Sequence, residues 1–240
     1  MIGTQSIDPG ELQLPGRLRF VNLSNRPRVA VIESRHWIAD CLTADRVTAL
    51  QTFRDLFSDD VLRPGDEVSV GRVALLFSDL KASTALYQQI GDAAAYHLVR
   101  DHFAFMADII RQHDGAVVKT IGDAVMAAFA RPADAMRAAL EIQRRIAGGN
   151  SGGRDLVIKL GVHQGPSIAV TLNDRLDYFG STVNMAARLQ GQSRGGDIVV
   201  SAEMLEDPAV AASLSGFAAR PEKAALKGFA EELTFYRVTP

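Results

Sequence analysis

Alternating strand-like and helix-like segments predict an α+β fold for this 240-residue chain. Three observations carry the prediction. Val73–Phe77 is an unbroken apolar run, the pattern of a strand buried on both faces. Asp92 opens a long stretch in which Ala95, Leu98, Val99, Met106, Ile109 and Ile110 recur at the helical period, and Gly115 closes it. Val117–Lys119 and Ala124–Phe129 flank Ile121, Gly122 and Asp123, the composition of a tight hairpin.

The remaining elements follow in order. Residues 1–16 contain prolines and glycines without periodicity and read as a mobile leader. Arg17–Asn22 and Arg28–Glu33 alternate around a turn composition at Leu23–Pro27, predicting a β-hairpin. Thr43 is placed to cap a helix over 43–58, with Val47, Leu50, Phe53 and Phe57 on one face. Pro132 starts a further helix carrying Met136, Leu140 and Ile146, and Gly148–Gly153 is a flexible loop. Leu156–His163 and Ser167–Leu172 read as strands, Ser181–Gln190 as a helix, and Ile198–Ser201 and Leu233–Val238 as strands. From residue 70 the order is βαββαβ, the ferredoxin-like plan, with added C-terminal elements and a preceding hairpin and helix. The expected organisation is a leader over 1–16, a regulatory or dimer-aligning segment over 17–65 and a main domain over 66–240.

Composition narrows the function classes. A formal net charge of −2 gives no electrostatic reason to expect a nucleic-acid polymer as partner. No apolar run approaches the roughly 20 residues that cross a bilayer, and the N-terminus lacks a signal-peptide pattern. The single cysteine, Cys41, excludes an intrachain disulfide or a thiolate metal cage and reads as a small buried hydrophobe. A cytoplasmic protein is the simplest expectation.

Two aspartates carry the chemistry. Asp79 ends the Val73 run and Asp123 sits in the hairpin turn. A carboxylate in such apolar surroundings is costly unless paired or bound to a cation. Two that converge suggest a shared pair of metal ions acting on phosphoryl oxygens. Asn184 and Arg188, four apart on a predicted helix, share a face. His163 has no second His or Cys at ligand spacing and is expected to be a buried, hydrogen-bonded strand residue. Gly122 and Gly180 read as positions needing turn geometry or close approach. Arg131, Arg144 and Arg145 read as solvated helix surface.

Five motifs occur in order: Phe77-Ser-Asp-Leu-Lys-Ala-Ser-Thr, Lys119-Thr-Ile-Gly-Asp, Gly161-Val-His-Gln-Gly, Asp177-Tyr-Phe-Gly-Ser-Thr-Val-Asn-Met-Ala-Ala-Arg, and Leu226-Lys-Gly-Phe. Together they make residues 70–240 resemble the catalytic domain of a class III nucleotidyl cyclase. The resemblance implies two divalent cations, Mg²⁺ or Mn²⁺, held at Asp79 and Asp123 with Leu80 alongside. It implies a phosphate cradle over Leu80, Lys81, Ala82, Ser83 and Thr84, a phosphate contact at Lys227, and catalytic roles for Asn184 and Arg188. Base choice would rest on Lys119 and Asp177. Adenine offers an acceptor beside an amino donor, which a Lys and an Asp match and guanine does not, a difference of about 1–3 kcal/mol per edge contact. The resemblance also implies a head-to-tail homodimer with two composite sites and an upstream sensor domain. The expected activity is adenylate cyclase, ATP to 3′,5′-cyclic AMP and pyrophosphate. A guanylate or mixed-specificity cyclase stays open, as does a catalytically silent nucleotide-binding dimerisation module.

Overall fold

The computed structural model describes residues 41–57, 62–63, 65–149 and 156–240. The chain divides into two units, Met1–Cys41 and Leu42–Pro240. The expected leader and β-hairpin lie outside the described residues. Cys41 is half-buried rather than buried.

Apolar β-branched runs build one sheet: β1 (Glu67–Leu80), β2 (Gly115–Ile121), β3 (Ala124–Phe129), β4 (Ile158–Leu172), β5 (Arg175–Phe179), β6 (Ile198–Ser201), β7 (Ala219–Ala225) and β8 (Glu232–Val238). Among the described residues the order is β2-β3-β1-β4-β6-β8-β7, with β5 paired to β4 beside that path. The β2-β3-β1-β4 portion is the ferredoxin-like core, its members antiparallel. β6 adds to β4 in parallel, and β8 and β7 extend the edge as an antiparallel pair.

The helices are α1 (Ala44–Thr48), α2 (Gln51–Phe57), α3 (Ser83–Ile90), α4 (Asp92–Gln112), α5 (Pro132–Ala147), α6 (Ser181–Gln192), α7 (Ala202–Leu205) and α8 (Pro208–Ser213). Met106, Ile109 and Ile110 of α4 and Met136, Ala139 and Ile142 of α5 cover one sheet face together with Leu76, Ala127 and Phe129. On the other face Leu75, Phe77, Met126, Leu176, Tyr178 and Ala186 form a second core, against which Ala44 and Phe53 pack. Alternation along β1 thus sends Leu75 and Leu76 to different cores.

Three further expectations are corrected. The helix expected over 43–58 is two short helices, and at the break Arg54 Nε takes the Thr48 carbonyl that a continuous helix would offer to the residue-52 amide. Leu50 and Phe57 are consequently exposed rather than part of a buried stripe. Leu156–His163 and Ser167–Leu172 are one strand, β4, which runs through Gln164–Pro166 because β1 pairs along most of its length. Arg144 is not simply solvated; its guanidinium stacks 5.0 Å from the Phe217 ring centre.

Candidate active site

Sheet register brings Asp79 and Asp123 together. Ser78 of β1 pairs with Val125 of β3, so Asp79 and the Gly122–Asp123 turn meet at one end of adjacent strands. Val125 N–H donates to Ser78 Oγ at 3.1 Å and ties that end down. Gly122 carries φ of +62°, the left-handed geometry the turn requires. The Asp79 pKa is raised, first by burial and then by the neighbouring Asp123 charge; Lys159 and the Gln190 side chain oppose this only in part. Lys159 stands directly opposite Asp79 on β4.

Asp123 Oδ2 is buried and has no hydrogen-bond partner among the described residues. An orphaned carboxylate oxygen is among the costliest buried groups, and a hard cation removes that cost by direct coordination. Two repelling carboxylates, one with an orphaned oxygen, fit a divalent cation. Among the described residues no cluster of three or more His, Cys, Asp or Glu side chains is suited to hold a metal. Backbone, water and phosphate oxygens would complete the coordination, as is usual for Mg²⁺.

Two further groups line this end, and sequence reasoning missed both. The Tyr87 hydroxyl is buried near Ser83 and Asp123 but lacks a well-aligned hydrogen bond, and burial followed by the Asp123 charge raises its pKa. His102 on α4 is 3% exposed, has neither ring nitrogen bonded, and is driven down to a pKa of about 4 by burial, which outweighs the nearby Asp123. His102 lies four residues after Leu98 and four before Met106, so spacing alone places it on the apolar stripe of α4, but not beside Asp123. Lys159 was missed too, although its place just before Gly161-Val-His-Gln-Gly was a usable signal.

Next to Asp79 the chain turns at Ala82, with φ of 58°, into α3. The Lys81 N–H donates to the Val157 carbonyl at 2.8 Å. It is therefore withdrawn from the expected cradle, and the first-turn amides of α3 at Ser83 and Thr84 remain for an anion.

Lys119 and Asp177 meet within the chain. Lys119 Nζ donates to Asp177 Oδ2 at 2.5 Å, and Asp177 Oδ1 accepts from the Tyr178 N–H at 2.8 Å. The Asp177 side chain is 8% exposed and that of Lys119 35%, so the pair is buried on one side and open on the other.

Asn184 and Arg188 project from α6, whose opposite face packs on β4. A Cβ at Gly161 would lie 2.1 Å from the Gln190 backbone nitrogen, so glycine permits this close approach. Thr182, Ala186 and Leu189 are buried, while Asn184 and Arg188 are exposed and bond to no other described side chain. Lys227 is exposed on a turn that Leu226 and Phe229 pin to a small core with Val199 and Phe235. His163 is buried and hydrogen-bonded to Ser201 Oγ at 2.7 Å, as expected. The structure thus joins Asp79 with Asp123 and Lys119 with Asp177. No described bond links Asn184, Arg188 or Lys227 to either aspartate.

Residues 66–238 match the family described as Adenylate and Guanylate cyclase catalytic domain. The chain belongs to that family. An adenylate cyclase of Lachancea kluyveri is 32% identical over 180 residues, which are 64% of this chain and 10% of that protein. An uncharacterized protein of Mycobacterium tuberculosis is 35% identical over 162 residues, 64% of this chain and 40% of its own length. The cyclase domain therefore spans between a tenth and two fifths of these relatives. Among solved structures, the catalytic core of a rhodopsin-guanylyl cyclase with converted specificity, in complex with ATPalphaS, superposes with a TM-score of 0.64. It is 23% identical and covers 72% of this chain and 98% of that one. The adenylyl cyclase CyaB from P. aeruginosa gives 0.58 at 22% identity, covering 73% and 96%. At these identities the likeness shows the cyclase fold. Among the described residues no helix is long and apolar enough to cross a membrane.

Proposed function

We propose that this chain is an adenylate cyclase that converts ATP to 3′,5′-cyclic AMP and pyrophosphate in a head-to-tail homodimer. The observation that carries the reading is the paired arrangement of the site: a like-charged carboxylate pair, Asp79 and Asp123, with one oxygen unpartnered among the described residues, and a donor–acceptor pair, Lys119 and Asp177. The adenylate cyclases among the sequence relatives support it.

Asp79 and Asp123, with the Leu80 backbone alongside, would hold divalent cations, Mg²⁺ or Mn²⁺. When bound, such cations polarise the ribose 3′-hydroxyl and neutralise phosphate charge. The Ser83 and Thr84 amides, Lys159 and Lys227 offer positive potential to the β- and γ-phosphates. Asn184 orients the ribose, and Arg188 meets charge developing at the α-phosphoryl with its planar fork. Lys119 donates to adenine N1 and Asp177 accepts from the 6-amino group, so base entry exchanges their mutual bond for two bonds to the base. Asn184 and Arg188, exposed and uncommitted in their own chain, act on nucleotide held by the partner's aspartates. The segment 17–65 aligns the protomers and relays input from an upstream sensor.

The test is product formation from ATP and GTP side by side, in Mg²⁺ and in Mn²⁺. Cyclic AMP with pyrophosphate is expected. Cyclic GMP in equal or greater yield would replace the reading with a guanylate or mixed-specificity cyclase, and nucleotide binding without turnover would make the domain a silent dimerisation module. For the dimer, Asp79→Ala and Asn184→Ala are each expected to be inactive and to regain activity when mixed. Mixtures that exchange subunits without recovery would put the site within one chain.

A further inference from the structure

The strand β2 is irregular just before Lys119: its register against β3 shifts between Val117 and Lys119. Such a bulge leaves a backbone group unpaired and re-aims the side chains beyond it. Here the Val117 N–H donates to Gln51 Oε1 of α2 at 2.7 Å. Gln51 is itself held, its Nε2 donating to Asp55 Oδ1 at 2.7 Å, which orients the amide oxygen toward the bulge.

One turn along α2, Arg54 reaches the other strand. It is 6% exposed, its Nη1 donates to the Leu176 carbonyl at 2.7 Å, and its guanidinium lies 5.1 Å from the Tyr178 ring centre. Tyr178 Oη donates in turn to Thr48 Oγ1 at 2.8 Å. Leu176 and Tyr178 flank Asp177. Among the described residues β5 pairs with β4, so on its other side Arg54 supplies the hold.

A buried guanidinium that, among the described residues, meets carbonyls and a ring but no carboxylate, and keeps Nη2 without a partner, is a costly way to dock a helix. Phe53 already provides apolar docking on the same helix. What the rigid fork adds is directional placement of a backbone carbonyl. Resting on the adenine-site reading above, we propose that Gln51 and Arg54 are positioning residues that set the separation of Lys119 and Asp177 and so determine base selectivity. One helix holds both members of the base-edge pair, each through the strand backbone within two residues of it.

The test uses the full 240-residue chain. Gln51→Leu, Arg54→Lys and Arg54→Met are compared with wild type and with Lys119→Met. Calorimetry in Mn²⁺ measures affinity for non-cyclisable ATP and GTP analogues and for inorganic tripolyphosphate, and thermal melts report folding. The preference for the adenine analogue is expected to fall about tenfold in Gln51→Leu and Arg54→Met, the scale of one lost edge contact, with tripolyphosphate affinity unchanged. Arg54→Lys should fall between wild type and Arg54→Met. If Arg54→Met does not fold, Gln51→Leu and Arg54→Lys carry the test. Variants that keep the wild-type preference, or that lose tripolyphosphate and both analogues equally, overturn the proposal. A wild type with no adenine preference, unchanged by Lys119→Met, overturns the base-site reading and this proposal with it.

Discussion

The two charged pairs of this domain are built oppositely. At Asp79 and Asp123 like charges face each other, and among the described residues one oxygen is orphaned, the neighbouring Tyr87 hydroxyl lacks a well-aligned bond and neither His102 ring nitrogen is bonded. At Lys119 and Asp177 opposite charges close on one another with a 2.5 Å bond. On the proposed reading the first pair is completed by a cation. The second is already bonded within the chain, and on the same reading the base must open it. A site that captures metal gains from standing unsatisfied, because the relief of repulsion adds to binding. A site that reads a base gains from being satisfied, because a ligand unable to replace both bonds leaves charges stranded.

The largest effect that tests this contrast is on turnover. Asp79→Asn or Asp123→Asn should lower activity at least about a thousandfold, since several kcal/mol of cation-derived stabilisation are lost. The same Asp79→Asn change should raise metal-free thermal stability at neutral pH. The Asp79 pKa in the folded state lies above its ordinary 3.8, so the folded form carries no penalty at lower pH and acquires one as pH rises through the raised value. The asparagine variant escapes that penalty, and saturating Mn²⁺ should close the gap. A metal-free Asp79→Asn protein that melts below wild type would contradict the strained-pair account.

His102 gives the next effect, also at the incomplete pair. Its folded-state pKa of about 4 lies below the ordinary 6.5, so its stabilisation is full above 6.5 and is lost as pH falls toward 4. Denaturant titrations should show a loss of about 2 kcal/mol between pH 7 and pH 5 that His102→Leu removes.

Breaking the satisfied pair should cost stability, where breaking the strained pair restores it. Lys119→Met leaves a buried carboxylate uncompensated and should destabilise by about 1–3 kcal/mol in urea, less than a fully buried pair because Lys119 is partly exposed. The smallest effect belongs to Lys119→Met combined with Asp177→Leu, which should recover most of that loss, since neither charge is then stranded. A double variant no more stable than Lys119→Met would mean that Asp177 serves the fold through its Tyr178 bond instead.

Much of the fold was legible because its signals are local. The helices from Asp92 and Pro132, the Ala124–Phe129 strand and the Ile198–Ser201 strand follow from periodicity and caps. The elements that escaped are short or edge-placed. β5, α3 and β7 have weak apolar patterns, and β5 and β7 exist because β4 and β8 offer them free edges. Asp79, Asp123, Lys119 and Asp177 were legible as motif members. The site roles of Gln51, Arg54, Tyr87 and His102 were not, since each matters through a neighbour distant in sequence, such as Arg54 through Leu176.

The order of amino acids alone determined the α+β plan, the placing of both aspartates at strand ends, and the shared face of Asn184 and Arg188, because strand and helix periods are properties of consecutive residues. Which charges meet was decided only by tertiary structure. Register between β1, β3 and β4 sets Asp79 beside Asp123 and opposite Lys159, and a broken helix frees Arg54 to grip the strand of Asp177. Electrostatic energy depends on separation and on the surrounding medium, and both arise from packing between segments far apart in the chain.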